Sequence, residues 1–579
     1  MATFSTEALK AQLFPAETAA PSPNPSEHQE QSVSSAPANS TTEREKSQVP
    51  IVAADATDES VGSVGSVGSD SMPVDETRTH VIALVKRVWP TMLHANLPVP
   101  MQGLVGFVQD IGSRKYYAAF HIRGAYHAVL IESSQMTDRI RRYALQKDVI
   151  LKPREIQEVK ETLLALASVH AVQNHVLPRV SPIEDGIEID LMDEHFQTVV
   201  ITASGVWVRN TAINFFARPA EALALPVPVL DITAEIGLLR SYINVNGVAF
   251  YLLVAYITFT IVSPKIDRSK YVFLVLRGAQ GTGKTFASKV IKNLIDPSSI
   301  DAQTLPNAAR DLGIMLQACH LALVDNVRDL SPQMSDLLCM ASTGGVTVQR
   351  KLYTDEELKS LKLHGAILFN GIHPFMGQSD FSDRTVCIEL APIGSEVRRS
   401  DSELLHALEA DQPRILGALY KLIQQVLKVL PDVRADVPTR MVEFCRWLAA
   451  VEQVMQLERS SLQNAYKATL VDSQLESLMD NPLAAVLLQF AEKQEIWSGT
   501  PTELYQELSN TASFSHQRSR AWPSSAASMS KRLHGLQGPL LSQGVEIVIA
   551  RGKERQIVVH SKNYVVPSPA SAGLRDLDF

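Results

Sequence analysis

Gly278, Gly283, Lys284 and Thr285 stand at the spacing GxxxxGK[ST] inside Leu276 to Phe286, LRGAQGTGKTF. That spacing suits the chemistry of a phosphate chain. Glycines let backbone N–H groups curl around phosphate oxygens where a Cβ would obstruct them. The loop Gly278, Ala279, Gln280, Gly281, Thr282 and Gly283 would supply those amides, with Phe286 closing the motif. Lys284 would reach the β- and γ-phosphates of ATP, and Thr285 would ligate Mg²⁺. The bland alternative is a Gly-rich turn with a chance lysine.

Further along, His320 to Asn326 (HLALVDN) is an apolar run ending in an acid. Asp325 would hold Mg²⁺ through water. Most ring ATPases place a glutamate next, as base for the attacking water; here the residue is Asn326. An amide cannot accept that proton, so Asn326 would only orient water, or the base lies elsewhere. Gly365 to Gly371 (GAILFNG) is a second apolar run ending in an amide, and Asn370 would orient the lytic water. Arg384, in the polar turn SDFSDRT, is a candidate arginine finger reaching a neighbouring subunit's nucleotide. Its alternative is an ion pair with Asp380 or Asp383. Between these motifs, Gly344 to Glu357 reads as a hairpin or loop carrying Arg350, Lys351 and Tyr353. Cations neutralise phosphates and a tyrosine stacks on a base, so these three are candidate DNA contacts against the alternative of an exposed turn.

The elements around these residues have the right character. Tyr271 to Leu276 is a short apolar run readable as a buried strand, and Phe286 to Ile295 has helical apolar spacing. Val386 to Leu390 reads as another strand. Gly247 to Val262 is uncharged and strongly apolar. It falls short of the roughly 20 residues of a membrane span, so a buried helix is expected. Leu230 to Val245 is a connector containing a helix. Glu403 to Val429 and Arg440 to Glu458 read as helices. From Asn481 onward the order is three helices, a strand, a tight basic turn and a strand, the pattern of a winged helix. Its third helix would offer Ser530, Lys531, Arg532 and His534 to DNA, and its turn Arg551, Lys553 and Arg555. The alternative is a winged helix used for protein contacts.

At 579 residues the chain has room for about three or four domains. A net charge of −8 excludes a generally basic nucleic-acid coat, so local basic patches must carry any DNA role. Cys319, Cys339, Cys387 and Cys445 are scattered, without a CxxC pair, and predict reduced thiols rather than a structural metal. No basic-then-apolar leader opens the chain, and a cytoplasmic protein without a membrane segment is expected.

Residues 1–78 are rich in Ser, Ala, Pro, Thr and Glu and include the repeat VGSVGSVGSD, which predicts a disordered tail. Glu7 to Phe14 could form a short helix for a replication or defence partner. Residues 79–229 read as an α+β domain, with a helix at Thr79 to Trp89 and a hairpin pairing YYAAFHI with YHAVLI. Helices follow at Thr137 to Tyr143 and Pro153 to Val169. Asp190, Asp193 and Glu194 form an acidic cluster, but acids at strand ends are more often solvated, and no polymerase or nuclease site is expected there.

The ordered motifs GAQGTGKT, LALVDNVRDLSPQMSDLLCMASTGG, RKLYTDEE, ILFNGI and DFSDRTV resemble the superfamily 3 type AAA+ modules of phage, plasmid and integrative-element primase-helicases. The resemblance covers roughly Leu230 to Pro392. It implies an AAA+ phosphate-loop ATPase core over 230–395, a helical lid over 396–480, the winged-helix domain over 481–565 and a flexible tail over 566–579. It implies a ring, usually a hexamer, that translocates on single-stranded or forked DNA using ATP. Lys284, Thr285, Asp325, Asn370 and Arg384 would take the roles above, and the Arg350–Lys351 hairpin would line the DNA channel. Asp325–Asn326 departs from the helicase pattern, and no primase motif lies upstream. Rival readings are a nucleotide-switched defence or regulatory ATPase and a non-enzymatic DNA-binding scaffold.

Overall fold

The structure is a computed structural model that describes residues 103–562, apart from 123–124, 147, 265, 267–268, 328–329, 351–357, 372–378, 395, 397–398, 520 and 551–554. The expectations for the tail at 1–78, the helix at Thr79 to Trp89, the tail at 566–579, and Lys351, Tyr353, Arg551 and Lys553 lie outside the described residues. The described part is a multidomain α/β protein with parallel, antiparallel and mixed sheets.

β1 (Leu104–Asp110), β2 (Tyr116–Ile122) and β3 (Ala125–Leu130) form an antiparallel meander. α1 (Ser134–Leu145) starts at Ser133, whose Oγ accepts the Met136 N–H at 3.2 Å, a local N-cap. α2 (Pro153–His170) covers the sheet and buries Ile156, Leu163 and Ala167 with Phe107 and Phe120. β4 (Val172–Asn174) then joins β1 in parallel. β5 (Val176–Leu177) pairs with β10 (Phe215–Phe216). Between them β6 (Val180–Ile183), β7 (Gly186–Asp190), β8 (Thr198–Thr202) and β9 (Gly205–Arg209) make a second antiparallel meander.

The expected connector helix is a 3-10 turn, Ile236–Ser241. α3 (Gly247–Val262) is buried on every side from Leu252 to Val262. A helix apolar all round has no face to give to water, and here other helices cover it. Among the described residues no helix is long and apolar enough to cross a membrane.

Next come β11 (Phe273–Arg277), α4 (Lys284–Ile295), α5 (Ala309–Ala318), β12 (Leu321–Val324), α6 (Pro332–Thr343), β13 (Gly345–Arg350), β14 (Leu358–Leu363), β15 (Ala366–Asn370), α7 (Ser379–Ser382) and β16 (Thr385–Glu389). Four of these strands form an all-parallel sheet in the order β12-β15-β11-β16. Both faces of such a sheet are covered, which is why its strands read as apolar runs without alternation. β13 and β14 stand apart as an antiparallel hairpin, with Gly345 opposite Leu363 and Arg350 opposite Leu358.

α8 (Asp401–Val429), α9 (Val442–Val454) and α10 (Ser461–Asp480) pack around α3. Gly417 of α8 is required by close approach: a Cβ there would lie 1.7 Å from the Val229 carbonyl oxygen. α10 has no counterpart among the helices expected from the sequence. Its buried Leu462, Tyr466 and Leu470 share the helix with exposed Val471, Leu475 and Met479, so no clean apolar stripe marks it.

The last segment comprises α11 (Pro482–Ala491), β17 (Ile496–Gly499), α12 (Pro501–Thr511), α13 (Phe514–Arg518), α14 (Ala526–Ser542), β18 (Val545–Ala550) and β19 (Gln556–Ser561). The three expected helices and the strand pair are present. The structure adds the short α13 and makes the sheet three-stranded, in the order β17-β19-β18.

Candidate functional site

β11 delivers the chain at the carboxyl edge of the parallel sheet, where ligands of open α/β sheets gather. The loop then turns on glycines: φ is +145° at Gly278, +81° at Gly281 and +78° at Gly283. At Gly278 a Cβ would meet the Leu390 carbonyl oxygen at 2.9 Å. Gly283 is the residue before α4, so the free amides of the first helical turn face the loop. Lys284 Nζ donates to the carbonyls of Gly278 and Ala279 at 2.8 Å each, which holds the ammonium over the loop. Thr282 Oγ1 donates to the Ala279 carbonyl at 3.0 Å. Ala279, Gln280, Gly281 and Thr285 are exposed, and Phe286 is buried.

The other motif residues arrive at the same edge because of strand register. Val324 pairs with Phe369 and Leu276 with Asn370, so Asp325, Asn370 and Gly278 leave neighbouring strands together. Asn370 is 2% exposed. Its Oδ1 accepts the Asn326 N–H at 2.9 Å, and its Nδ2 donates to Ser288 Oγ at 3.2 Å. Ser288 Oγ donates in turn to the Lys284 carbonyl at 2.9 Å. The Asn370 carbonyl accepts the Val327 N–H at 3.0 Å. Asn326 sits in the left-handed region at φ +58°, with its side chain exposed. Asp325 is half-buried, and its N–H donates to the Gln303 carbonyl at 3.0 Å.

Arg384 is buried and pairs with Asp380, Nη1 to Oδ2 at 2.9 Å, forming the ion pair that was its alternative reading. Arg440 also contacts Asp380, and lies 3.9 Å from Asp383. Burial, together with the neighbouring Asp380, pushes the Cys339 thiol up to about 12.

A cavity of about 540 Å³ opens beside the loop. Gly281, Thr282, Gly283 and Phe286 form one wall, Arg240 to Asn244 a second, and Pro392 to Gly394 with Arg399 and Leu404 a third. The walls are cross-tied. Asn244 Nδ2 donates to the Ala391 carbonyl at 2.7 Å, and Arg399 Nη2 to the Ser241 carbonyl at 3.2 Å. Tyr242 donates to Asp411 Oδ2 at 2.7 Å; burial first, then that bond, pushes its hydroxyl up to about 12. The residues outside the loop carry no motif, and sequence reasoning missed them.

Residues 244–476 match the family model described as actinomycete integrative conjugative element replication protein. Residues 483–570 match the AICE RepA C-terminal domain. Both matches are to one replication-protein family of mobile elements. No curated protein matches the chain. Among solved structures, three apo structures of the NrS-1 C-terminal region are similar at 11%, 13% and 11% identity. Each covers 82% of this chain and 99% of its own, with TM-scores of 0.34, 0.34 and 0.33, too low to define a shared fold.

Within the segment matching the replication protein, Arg350 ends β13 at the far end of the hairpin, opposite Leu358. Within the segment matching the C-terminal domain, Lys531, Arg532 and His534 of α14 are exposed, as is Arg555 before β19. Arg532 donates to the Ala521 carbonyl. Ser530 is a correction: it is 3% exposed, turned into the core beside Met529 and Leu533, and cannot reach DNA.

The acidic cluster upstream is structural. Asp190 accepts both arms of Arg218, at 2.8 and 2.6 Å, and Asp193 Oδ1 accepts the Gln197 N–H at 2.8 Å. Among the described residues no group of three or more His, Cys, Asp or Glu could hold a metal ion.

Proposed function

We propose that the chain is an ATP-dependent DNA-acting motor of a mobile-element replication system, with an AAA+ phosphate-loop core and a C-terminal winged helix. The carrying observation is the bonded series Lys284–Ser288–Asn370–Asn326 at one sheet edge. It links the phosphate-binding helix to the ends of two further motif strands. The loop amides and Lys284 would hold the phosphates of ATP, and Thr285 and Asp325 would hold Mg²⁺, which supplies charge neutralisation at the γ-phosphate. The donor set fits: an ammonium, an exposed threonine and a half-buried aspartate lie at the loop and at the end of the next strand but one, and glycines stand at the loop's three positive-φ positions. The cavity walled by Tyr242 and Ile393 would receive the adenine ring of the nucleotide. In a homo-oligomeric ring, a hexamer by analogy with the resembled family, Arg384 would serve a neighbour's nucleotide and the β13–β14 hairpin would meet DNA. The cytoplasm is the compartment this reading implies.

A second reading is favoured by Asn326 and Asn370. Neither is a base, and Asn370 spends its amide oxygen on a backbone N–H. Those facts suit a nucleotide-driven switch without unwinding. ATP hydrolysis by the whole chain, with and without single-stranded DNA and beside Lys284→Ala, separates the two. DNA-stimulated turnover that Lys284→Ala abolishes supports the motor. Turnover indifferent to DNA supports the switch. Nucleotide binding without turnover leaves only a scaffold, and a Lys284→Ala variant that binds ATP normally overturns the loop assignment.

A further inference from the structure

Phe514 is 73% exposed at the start of α13, and among the described residues no other Phe, Tyr or Trp is exposed. A lone surface aromatic on a loose loop would carry little meaning, because single apolar residues are common on surfaces. The helix that carries this one is anchored at both ends. Ser513 caps α13 by accepting the His516 N–H at 3.3 Å. Gln517 Nε2 donates to the Ser509 carbonyl at 2.6 Å, which ties α13 to the end of α12. The chain after α13 is pinned as well. Trp522 is buried, Tyr505 donates to the Pro523 carbonyl at 3.0 Å, and Arg532 of α14 donates to the Ala521 carbonyl. The helix that carries the ring is therefore held in place, and the ring itself is exposed to water.

Its electrostatic setting is equally specific. Between Glu507 and Glu546 the chain has no Asp or Glu, yet it carries Arg518, Arg520, Lys531 and Arg532. This occurs in a protein of net charge −8. Arg518 lies over the Phe514 ring, 5.3 Å from its centroid, and both side chains are exposed. An exposed aromatic ring beside a guanidinium, in a stretch of chain without acids, has the two parts that unpaired nucleic acid requires. One is a platform for a base, and the other is a cation for the adjoining phosphate. A duplex offers no free base face along its length.

We infer that Phe514 and Arg518 form a stacking site for an unpaired DNA base on the C-terminal segment. The inference rests on the DNA-acting reading and deepens it: the substrate of this surface is single-stranded or forked DNA rather than continuous duplex. Phe514 supplies the ring face, Arg518 the phosphate contact, and exposed Lys531 the flanking charge.

Fluorescence anisotropy of the full chain with labelled oligothymidylate, a fork and a blunt duplex tests it. Phe514→Ala is expected to weaken binding to oligothymidylate and to the fork about tenfold, with the duplex unaffected and the salt dependence unchanged. Phe514→Trp restores the affinity. Arg518→Gln lowers the salt slope on single strands by about 0.7. Because Phe514 is exposed, circular dichroism of the variants should match the parent. Parent-like binding of Phe514→Ala to the single strand and the fork overturns the inference alone. So does an equal loss on all three DNAs. A parent protein that binds none of them overturns the DNA-acting reading as well.

Discussion

Asn370 Oδ1 accepts the backbone N–H of Asn326 at 2.9 Å. The bond crosses from the end of β15 to the end of β12 and holds Asn326 in a left-handed conformation. Asn370 is thus a positioning residue for the strand end that carries Asp325. Asn370→Ala removes the acceptor of the part-buried Asn326 N–H and one of the two bonds of the Ser288 hydroxyl, at about 1–3 kcal/mol. The expected result is a lower denaturant midpoint together with loss of nucleotide turnover. Ser288→Ala, which leaves the Asn370–Asn326 bond in place, should cost less in both assays.

Arg384 allows a direct test of action between subunits. Lys284→Ala and Arg384→Ala chains, each inactive alone, should partly restore ATP turnover when mixed if Arg384 serves a neighbour. Mixing without recovery would assign Arg384 to the Asp380–Arg440 cluster within its own chain. Thermal melting of Arg384→Ala alone measures that structural share.

Arg179 is fully buried and donates Nε to Asp296 Oδ1 at 2.9 Å. Its Nη2 serves the carbonyls of Leu223 and Pro297 at 2.9 and 3.0 Å. Asp296 closes α4, the helix that begins at Lys284, and also accepts Lys292 Nζ at 3.1 Å. One arginine therefore joins the start of the β6–β9 meander to the far end of α4. Arg179→Ala should lower unfolding free energy by about 3–5 kcal/mol, read by chemical denaturation, since it breaks a buried pair from one side.

His127 gives a pH signature. Burial first, then Arg139 and Arg218, lowers its imidazole to about 3. Arg139 Nη2 lies 2.7 Å from Nε2, so the neutral ring accepts that bond. The unfolded chain takes up a proton below about pH 6.5 and the folded chain does not, so stability falls as pH drops from about 6.5 toward 3. The contribution of this one group is about 2 kcal/mol between pH 6.5 and 5. Urea unfolding at both pH values should show that loss, and His127→Gln, which keeps an acceptor for Arg139, should lack it.

Local chemistry alone determined much of this protein. The glycine spacing before Lys284 dictates a loop that only positive φ permits, and the apolar runs ending at Asp325 and Asn370 dictate buried parallel strands. The unbroken apolar stretch Gly247–Val262 dictates a buried helix, because no other environment among these residues would cover every side of it. What the tertiary structure decided depends on register between distant segments. The pairing of Leu276 with Asn370 brings Asn370 within reach of Asn326 and Ser288, and no spacing along the chain encodes that. Arg384 and Ser530 were legible as polar residues in favourable motifs. Packing set their accessibility: one guanidinium meets Asp380, and one hydroxyl turns inward between Met529 and Leu533. The wall from Arg240 to Asn244 joins the loop cavity only because the chain returns at Ala391 to accept Asn244. Side-chain type is a property of one residue, whereas burial and partnership belong to the whole packed set.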